Sequence, residues 1–247
     1  MRKIIYLCCL ITIFGCNNED SGDCLQTAGT IIQQEIDVAP FTKILVNKKV
    51  ALVINEGPIQ KVIVETGENL MPDIEVQVLD NQIILTNHNS CNFFRDYGIT
   101  KVYITSPNIS EIRNASELNV TSESLLTFPN LFLESAGIGN TFLAVGDFNL
   151  IIDNSKVTVL SNGISNFYLS GKTKDLTIYF ANGDTRFEGK NLISENVTIL
   201  QVSSNDILIH PTKSLKGTIH SVGNVISFNQ PPIIEVNVLS KGKLIFK

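Results

Sequence analysis

The sequence predicts an all-β protein built as a right-handed parallel β-helix (a β-solenoid) with a less regular N-terminal β portion. One strand pattern, a threonine between β-formers, recurs about every nineteen residues in the second half of the chain. Two short strands per repeat, with turns between them, are typical of a solenoid whose coils stack on one another. The series consists of Thr121, Thr141, Thr158, Thr177, Thr198, Thr218 and, with asparagine in place of threonine, Asn237.

A second apolar cluster follows the threonines, and Asn, Asp or Gly marks the turns between repeats. These turn residues supply the positive φ values that tight corners need. A left-handed hexapeptide helix has a coil of similar length, but its aliphatic residue at every sixth position is missing here. We therefore expect the right-handed form, in which each threonine faces outward and its two neighbours face the core.

The N-terminal portion is also rich in β-branched residues but lacks this repeat. Turn formers divide it into short strands, and the segment around Asp80 and Asn81 has the pattern of a hairpin. No segment shows convincing helical periodicity. We expect one solenoid unit over residues 30–247, irregular over 30–115 and regular over 116–247. The strands predicted in the irregular part are 31–38, 41–46, 50–55, 61–65, 74–79, 83–86 and 101–105.

The first residues predict a lipoprotein signal peptide. Arg2 and Lys3 precede an apolar stretch, 4–14, that is too short to span a bilayer. Gly15 and Cys16 resemble a lipobox, although an ordinary secretory peptide with a chance cysteine is the alternative. We expect a signal peptide over 1–15, acylation of Cys16 and a lipidated tether over 16–29. The protein would then be held by its lipid in the bacterial outer membrane, facing the periplasm or the cell surface.

Charge and composition exclude some classes of partner. The formal net charge is −5, and loss of Arg2 and Lys3 with the signal peptide would leave 17 basic residues against the 24 acidic ones. A surface with this net negative charge does not attract nucleic acid or anionic lipid headgroups electrostatically. The chain has no Trp, so it also lacks the most effective aromatic binding platform.

The cysteine count agrees with export to an oxidising compartment. Cys8 and Cys9 lie in the predicted signal and Cys16 would carry lipid, which leaves Cys24 and Cys91 as an even pair. A disulfide between them would fasten the start of the mature chain to the loop over 87–97. Two separate buried thiols are the alternative.

Acidic residues at the turns could suggest a carbohydrate-cleaving enzyme, because β-helix lyases and hydrolases place carboxylates together on one face. Asp147, Asp184 and Asp206 occupy corner positions, where Asp commonly bonds its own turn. Arg186 is the only nearby cation that could join them in acid–base chemistry. We favour the turn role and expect no catalytic residue.

No metal ion or cofactor is expected either. The glycine- and aspartate-rich nonapeptide of calcium-binding β-helices is absent. His88, His210 and His220 have no Cys, His or Glu partner at the spacing of a metal site.

The segment 88–97 has the most unusual local composition of the chain. It brings Phe93, Phe94, Arg95 and Tyr97 together with Cys91 in a connection between strands. Exposed aromatic rings beside an arginine are typical of a binding loop. The alternative, which we favour, is a disulfide-tied plug that covers an open end of the solenoid.

Five strand-and-turn segments occur in a recognisable order: FTKILVN at 41–47, VIVETGENL at 62–70, VYITSPNISEI at 102–112, IHSVGNVISF at 219–228 and KGKL at 241–244. In this order they resemble the head GIN-domain family of auto-transporter adhesins from Bacteroidetes-type bacteria. The resemblance covers about 40–247, although coils that often end in Gly-x-Gly in the family carry serine here. It implies a parallel β-helix without assigned chemistry.

Together these features predict a non-enzymatic binding or adhesion module for a glycan, an envelope component or a host-surface protein. A β-helix carbohydrate-active enzyme of the polysaccharide lyase or hydrolase type is one alternative. A structural envelope component that associates with itself through its faces or ends is the other. The sequence indicates no oligomeric state and no particular ligand.

Overall fold

The computed structural model describes Cys24 and residues 26–89, 91–92, 95–135 and 144–247. Within these residues the regular structure is β-strand apart from one turn of 3-10 helix, Met71–Asp73, so the all-β prediction is confirmed. The predicted signal peptide, Cys16 and Thr141 lie outside the described residues. The strands are β1 (Ile31–Glu35), β2 (Lys43–Val46), β3 (Ala51–Glu56), β4 (Lys61–Gly67), β5 (Ile74–Leu79), β6 (Gln82–Asn87), β7 (Lys101–Ser106), β8 (Glu111–Asn114), β9 (Val120–Leu126), β10 (Asn130–Ser135), β11 (Phe148–Ser161), β12 (Asn166–Phe180), β13 (Arg186–Gln201), β14 (Ile207–Ile219), β15 (Val225–Ser227), β16 (Ile233–Val238) and β17 (Leu244–Phe246).

The strands form a stack with two parallel ladders, and β11 to β14 bend so that each contributes one half to each ladder. The first ladder runs β7, β3, β9, the first halves of β11 to β14, β15 and β17. The second runs β6, β2, β8, β10, the second halves of β11 to β14, and β16. Antiparallel strands close the N-terminal end: β4 and β1 extend the first ladder, and β5 extends the second.

The central part of the threonine column forms as predicted. Thr158, Thr177 and Thr198 lie opposite one another in the second ladder, and the residues on both sides of each are buried. Alternation along the strand explains this, since a threonine that faces outward sends its neighbours into the core. Thr121 belongs to the first ladder, opposite Asn149, so its inclusion in the column was wrong.

The column ends at β14, because Lys216 and not Thr218 lies opposite Thr198. Thr218 lies opposite Leu200 and continues to Asn237 of β16. The cause is the bend, where the offset between paired residues of β13 and β14 falls from 20 to 18. Spacing along the sequence does not reveal a bulge of this kind.

Stacked phenylalanines fill the core beneath the first ladder. The rings of Phe148 and Phe167 are parallel within 10°, with centroids 4.7 Å apart. Phe187 continues the column in register, and Phe180 of the second ladder approaches Phe167 with centroids 6.2 Å apart. All four are fully buried. Phe167 is therefore the centre of this aromatic group, stacked on Phe148 and in tilted contact with Phe180.

Buried hydroxyl groups occupy the corner edge, which we define as the row of turns that lead from the second ladder back to the first. The hydroxyls of Ser135 and Ser165 are 2.6 Å apart, and so are those of Ser161 and Thr185. All four residues are fully buried. Each hydroxyl provides the partner that a polar group needs inside a protein. Ser161 is one of the serines that replace the Gly-x-Gly pattern.

Glycine is required where coils approach most closely. Gly183 has a φ of +85°, and a Cβ there would lie 2.0 Å from the carbonyl oxygen of Gly163 in the preceding coil. Gly217 has a φ of +131°, and its Cβ would lie 1.9 Å from the carbonyl oxygen of Ile199. Both positions combine a backbone conformation that disfavours side chains with backbone contact, so only glycine fits.

The irregular N-terminal portion joins the same stack and the same core. Its predicted strands all form, although β1 ends at Glu35, where its pairing with β4 stops, and Ile36 and Val38 pack against the core instead. The predicted hairpin is β5–β6, with positive φ values at Asp80 and Asn81 that suit a two-residue turn. None of the described residues forms a helix with the length and apolar character needed to cross a bilayer.

Candidate binding sites

The corner aspartates bond to the next coil. Oδ1 of Asp147 accepts hydrogen bonds from the backbone N–H and the side-chain Nδ2 of Asn166, at 2.7 and 3.1 Å. Oδ1 of Asp206 accepts the same two bonds from Asn224, each at 3.0 Å. Asp184 accepts a hydrogen bond from the hydroxyl of Ser204. The corner acids thus have structural partners, but these partners lie in the following turn and not in the acid's own turn as expected.

Arg186 brings two carboxylates together. Its Nη2 and Nε lie 2.5 and 2.7 Å from Oε1 of Glu188, and its Nη1 lies 3.7 Å from Oδ2 of Asp206. Nη1 also donates to Oδ1 of Asn205. The guanidinium therefore compensates both acids within an ion-pair cluster. Arg186 holds Oε1 of Glu188, and Asn224 donates to Oδ1 of Asp206, so each acid has one oxygen bound to a protein donor.

The described residues contain no group of three or more His, Cys, Asp or Glu that could hold a metal ion. Nε2 of His88 lies 2.7 Å from Oε2 of Glu75, and Nδ1 of His210 lies 3.3 Å from the carbonyl oxygen of Lys190. Both imidazoles thus have protein partners on neighbouring strands. Each contact is a single pair.

The connection between β6 and β7 is tied to the start of the chain. Cys24 and Cys91 form a disulfide, and Nη1 of Arg95 donates to the backbone oxygen and to Oε1 of Gln26, at 3.3 and 3.0 Å. Arg95 therefore links this connection to the start of the described chain. Phe93 and Phe94 lie outside the described residues.

Tyr97 lies at the outer side of the same loop. Its ring is 64% exposed, while its hydroxyl donates a hydrogen bond to Glu117 in the corner between β8 and β9. Partial burial of the hydroxyl, this hydrogen bond and the negative charge of Glu117 raise the pKa of Tyr97 to about 12. The loop thus runs along the corner edge beside the next coils and does not lie across an end of the stack.

The space beneath this loop is small. A cavity of about 50 Å³ lies between Lys49, Asn87, Asn89, Arg95 and Tyr97. It has room for about one or two water molecules. The cavity is therefore too small to hold a sugar residue.

Alkaline titration should identify the contact between Tyr97 and Glu117. Subtracting the titration curve of Tyr97→Phe from that of the unchanged protein gives the tyrosinate absorbance of Tyr97 alone. We expect this difference to have its midpoint near pH 12. Because the folded pKa exceeds the ordinary value of 10, the stability from this contact is fully present below pH 10 and is lost as the pH rises through about 12. Glu117→Gln should move the midpoint toward 10. If the folded protein instead gave a Tyr97 difference curve with its midpoint at pH 10, the contact with Glu117 would be contradicted.

A wider groove crosses the outer face of the first ladder on β11, β12 and β13. We call it the Tyr168 groove. Its volume is about 540 Å³. Asn149, Tyr168 and Glu188 lie opposite one another in register across its floor. It is lined by Ser122, Asn149, Leu150, Ile151, Tyr168, Leu169, Ser170, Glu188, Lys190 and Asn191.

The Tyr168 groove combines one flat apolar surface with several polar groups. Tyr168 is 41% exposed and Ile151 is 44% exposed. Asn149 and Asn191 provide amides, Lys190 provides an ammonium group, and Arg186 holds the carboxylate of Glu188 in place at the edge of the groove. Amides and carboxylates pair with hydroxyl groups, while an aromatic face packs against C–H groups.

Sequence reasoning missed this groove. Tyr168 stands between the buried Phe167 and Leu169, so in the sequence the three residues form one apolar cluster with no sign of a binding site. Alternation along β12 could have placed its ring outward. Its neighbours, however, come from strands about twenty residues away, and the bulge between β12 and β13 near Tyr168 breaks simple counting.

Comparison with known proteins gives a family match and several similar folds. Residues 40–231 match the family model described as "Putative auto-transporter adhesin, head GIN domain". A "putative adhesin" from Bacteroides fragilis NCTC 9343 is 22% identical with a TM-score of 0.79, and the alignment covers 90% of this chain and 99% of that one. A "Putative lipid binding protein" from Parabacteroides distasonis ATCC 8503 is 13% identical with a TM-score of 0.66, covering 89% and 97%. No curated protein matches the chain.

Proposed function

Because this chain belongs to the head GIN-domain family over residues 40–231, we propose that it is a non-enzymatic binding and adhesion module of the bacterial cell envelope. We infer that its stack is a right-handed parallel β-helix, which the in-register parallel pairing of β11 to β14 supports. Residues 30–247 would form one unit. Extended, regular surfaces of this kind suit recognition.

The proposed module is anchored by lipid. Removal of 1–15 would leave Cys16 as an acylated N-terminus in the outer membrane, followed by a short tether. The sequence pattern around Cys16 supports this anchor. The tether would join the fold at Cys24, whose disulfide to Cys91 lies at the corner edge.

The ligand that best suits the Tyr168 groove is a carbohydrate chain. The observation that carries this proposal is the exposed ring of Tyr168 between Asn149 and Glu188 on neighbouring strands. Strands lie about 4.8 Å apart, so these groups offer an apolar face and hydrogen-bonding groups within the length of one or two sugar rings. The groove is open and mixes polar and apolar surface in similar amounts, which suits a sugar with its hydroxyl groups and C–H faces.

The enzymatic alternative has less support. Glu188 is the carboxylate of this groove, and Arg186 holds one of its oxygens with two N–H groups. Glycoside hydrolysis commonly uses a pair of acids on either side of the scissile bond. Asp206, the second acid beside Arg186, is bonded to Asn224 of the next corner.

A glycan-array screen tests the proposed function. We would use the chain from residue 17 onward, which contains every described residue, and then measure affinity for the best glycan. Tyr168→Ala should weaken binding at least about tenfold, because it removes the ring on which the sugar rests.

Tyr179→Ala is the matched control. Tyr179 lies on the same strand, is 45% exposed and belongs to the outer face of the second ladder. It should bind as the unchanged protein does. Equal weakening by both variants, or an unchanged affinity in Tyr168→Ala, would place binding elsewhere. Loss of binding on replacing Phe93, Phe94 and Arg95 with folding intact would move the site to the loop.

A further inference from the structure

The C-terminal end of the stack leaves its core open. Ile234 and Val238 of β16 occupy the core-facing columns of Leu215 and Ile219, which are fully buried in the coil before. They are nevertheless 38% and 47% exposed, and Phe246 of β17 is 37% exposed. Solenoids need a polar cap or a partner at such an end.

The edge strands at this end also have unpaired backbone groups. Among the described residues, β16 pairs only with β14, and β17 pairs only with β15. Their outer N–H and C=O groups are therefore free to form hydrogen bonds with another strand. The exposed core side chains lie beside the unpaired edges of β16 and β17, so further strands could extend the stack at this end.

The two ends of the stack have opposite charge. At the C-terminal end, residues 233–247 hold three lysines and one acid, and that acid, Glu235, already lies 3.0 Å from Lys216. At the N-terminal end, the segments 31–37 and 68–80 contain carboxylates and no Lys or Arg. These carboxylates are Glu35, Asp37, Glu68, Asp73, Glu75 and Asp80. Two of them have a basic partner on a neighbouring segment, since Lys61 lies 2.9 Å from Glu35 and His88 lies 2.7 Å from Glu75.

We propose that the C-terminal end binds the N-terminal end of a second copy of this chain. The lysines Lys241, Lys243 and Lys247 would face the acidic N-terminal end, whereas two C-terminal ends would bring lysines against lysines. In such a head-to-tail contact each copy uses one end to bind the next copy and leaves its other end free. Further copies can therefore add, and a row of molecules forms.

Strand direction permits this junction. β1 is two antiparallel steps from β7, so it runs in the same direction as the first ladder and would pair in parallel with β17. At the C-terminal end the first ladder extends one strand beyond the second, since β15 and β17 follow β14 in the first ladder and only β16 follows it in the second. The first ladder can therefore continue directly across the junction.

Sedimentation velocity of the chain from residue 17 onward tests the proposal. We expect association that increases with concentration and weakens at least about tenfold when salt rises from low to high ionic strength. Charge reversal at either end, Lys241→Glu with Lys243→Glu or Asp37→Lys with Glu75→Lys, should give monomers. An equimolar mixture of the two variants should associate again.

The variants also separate this arrangement from its alternatives. All four positions are outside the core, so circular dichroism should show an unchanged fold. Association that survives the Asp37→Lys and Glu75→Lys changes but is lost in Ile234→Asp would mean that two C-terminal ends pair, and would overturn the proposal. A monomer at every concentration would also overturn it. Glycan binding through Tyr168 should be the same in all these variants.

Discussion

Phe167→Ala is expected to lower the free energy of unfolding by about 3–5 kcal/mol, the cost usually observed when a buried phenylalanine is truncated. The residue is fully buried, stacks on Phe148 at 4.7 Å and touches Phe180 across the core. The coils on both sides are held in register, so the space cannot readily collapse. Phe167→Leu should cost much less, because it keeps most of the buried surface.

Urea unfolding followed by far-ultraviolet circular dichroism would measure this loss, since the chain has no Trp. Tyr168→Ala is the neighbouring control. Its ring faces outward, so we expect a change within about 1 kcal/mol. A loss in Phe167→Ala no greater than that in Tyr168→Ala would show that the phenylalanine stack does not determine stability.

Replacement of Cys24 and Cys91 by serine is expected to have the second large effect. The disulfide joins residues 67 apart. In the chain-entropy description, closing a loop of this length stabilises the folded state by about 4 kcal/mol, and measured values are commonly about 2–4 kcal/mol. The double variant should therefore unfold at lower urea concentration.

The chain from residue 17 onward contains only these two cysteines, so reduction provides an independent check. Reductant should lower the stability of the unchanged protein to that of the double variant and leave the variant unaffected. Protease sensitivity should rise in the loop that Arg95 ties to Gln26. Equal stability of the oxidised and reduced protein would contradict a stabilising disulfide.

The sequence predicted local structure well because strand alternation and turn preferences depend on residues that are close together in the chain. Alternation placed the neighbours of Thr158, Thr177 and Thr198 in the core, and the turn residues Asp80 and Asn81 identified the β5–β6 hairpin. The corner positions of Asp147, Asp184 and Asp206 were predicted from turn chemistry, whereas their partners in the following turn were not. Each of these predictions requires only the identity of a residue and of the few residues next to it in the sequence.

Prediction failed where distant strands had to be aligned. Thr218 was placed two residues out of its column because the bend between β13 and β14 shortens one coil. The Tyr168 groove was missed for the same reason, since its floor joins three strands whose register depends on bulges. The loop with Arg95 was read as a plug for an end, and its contacts place it along the corner edge.

The sequence by itself determined an all-β fold and a family, because strand alternation, turn residues and the order of motifs can be recognised in the order of the amino acids alone. Only the tertiary structure decided which side chains share a surface. Tyr168 joins Asn149 and Glu188, and the open core at Ile234 stands at one end of a stack whose other end is acidic. The physical reason is register, since a shift of one or two residues in a single bend changes every neighbour across the ladder.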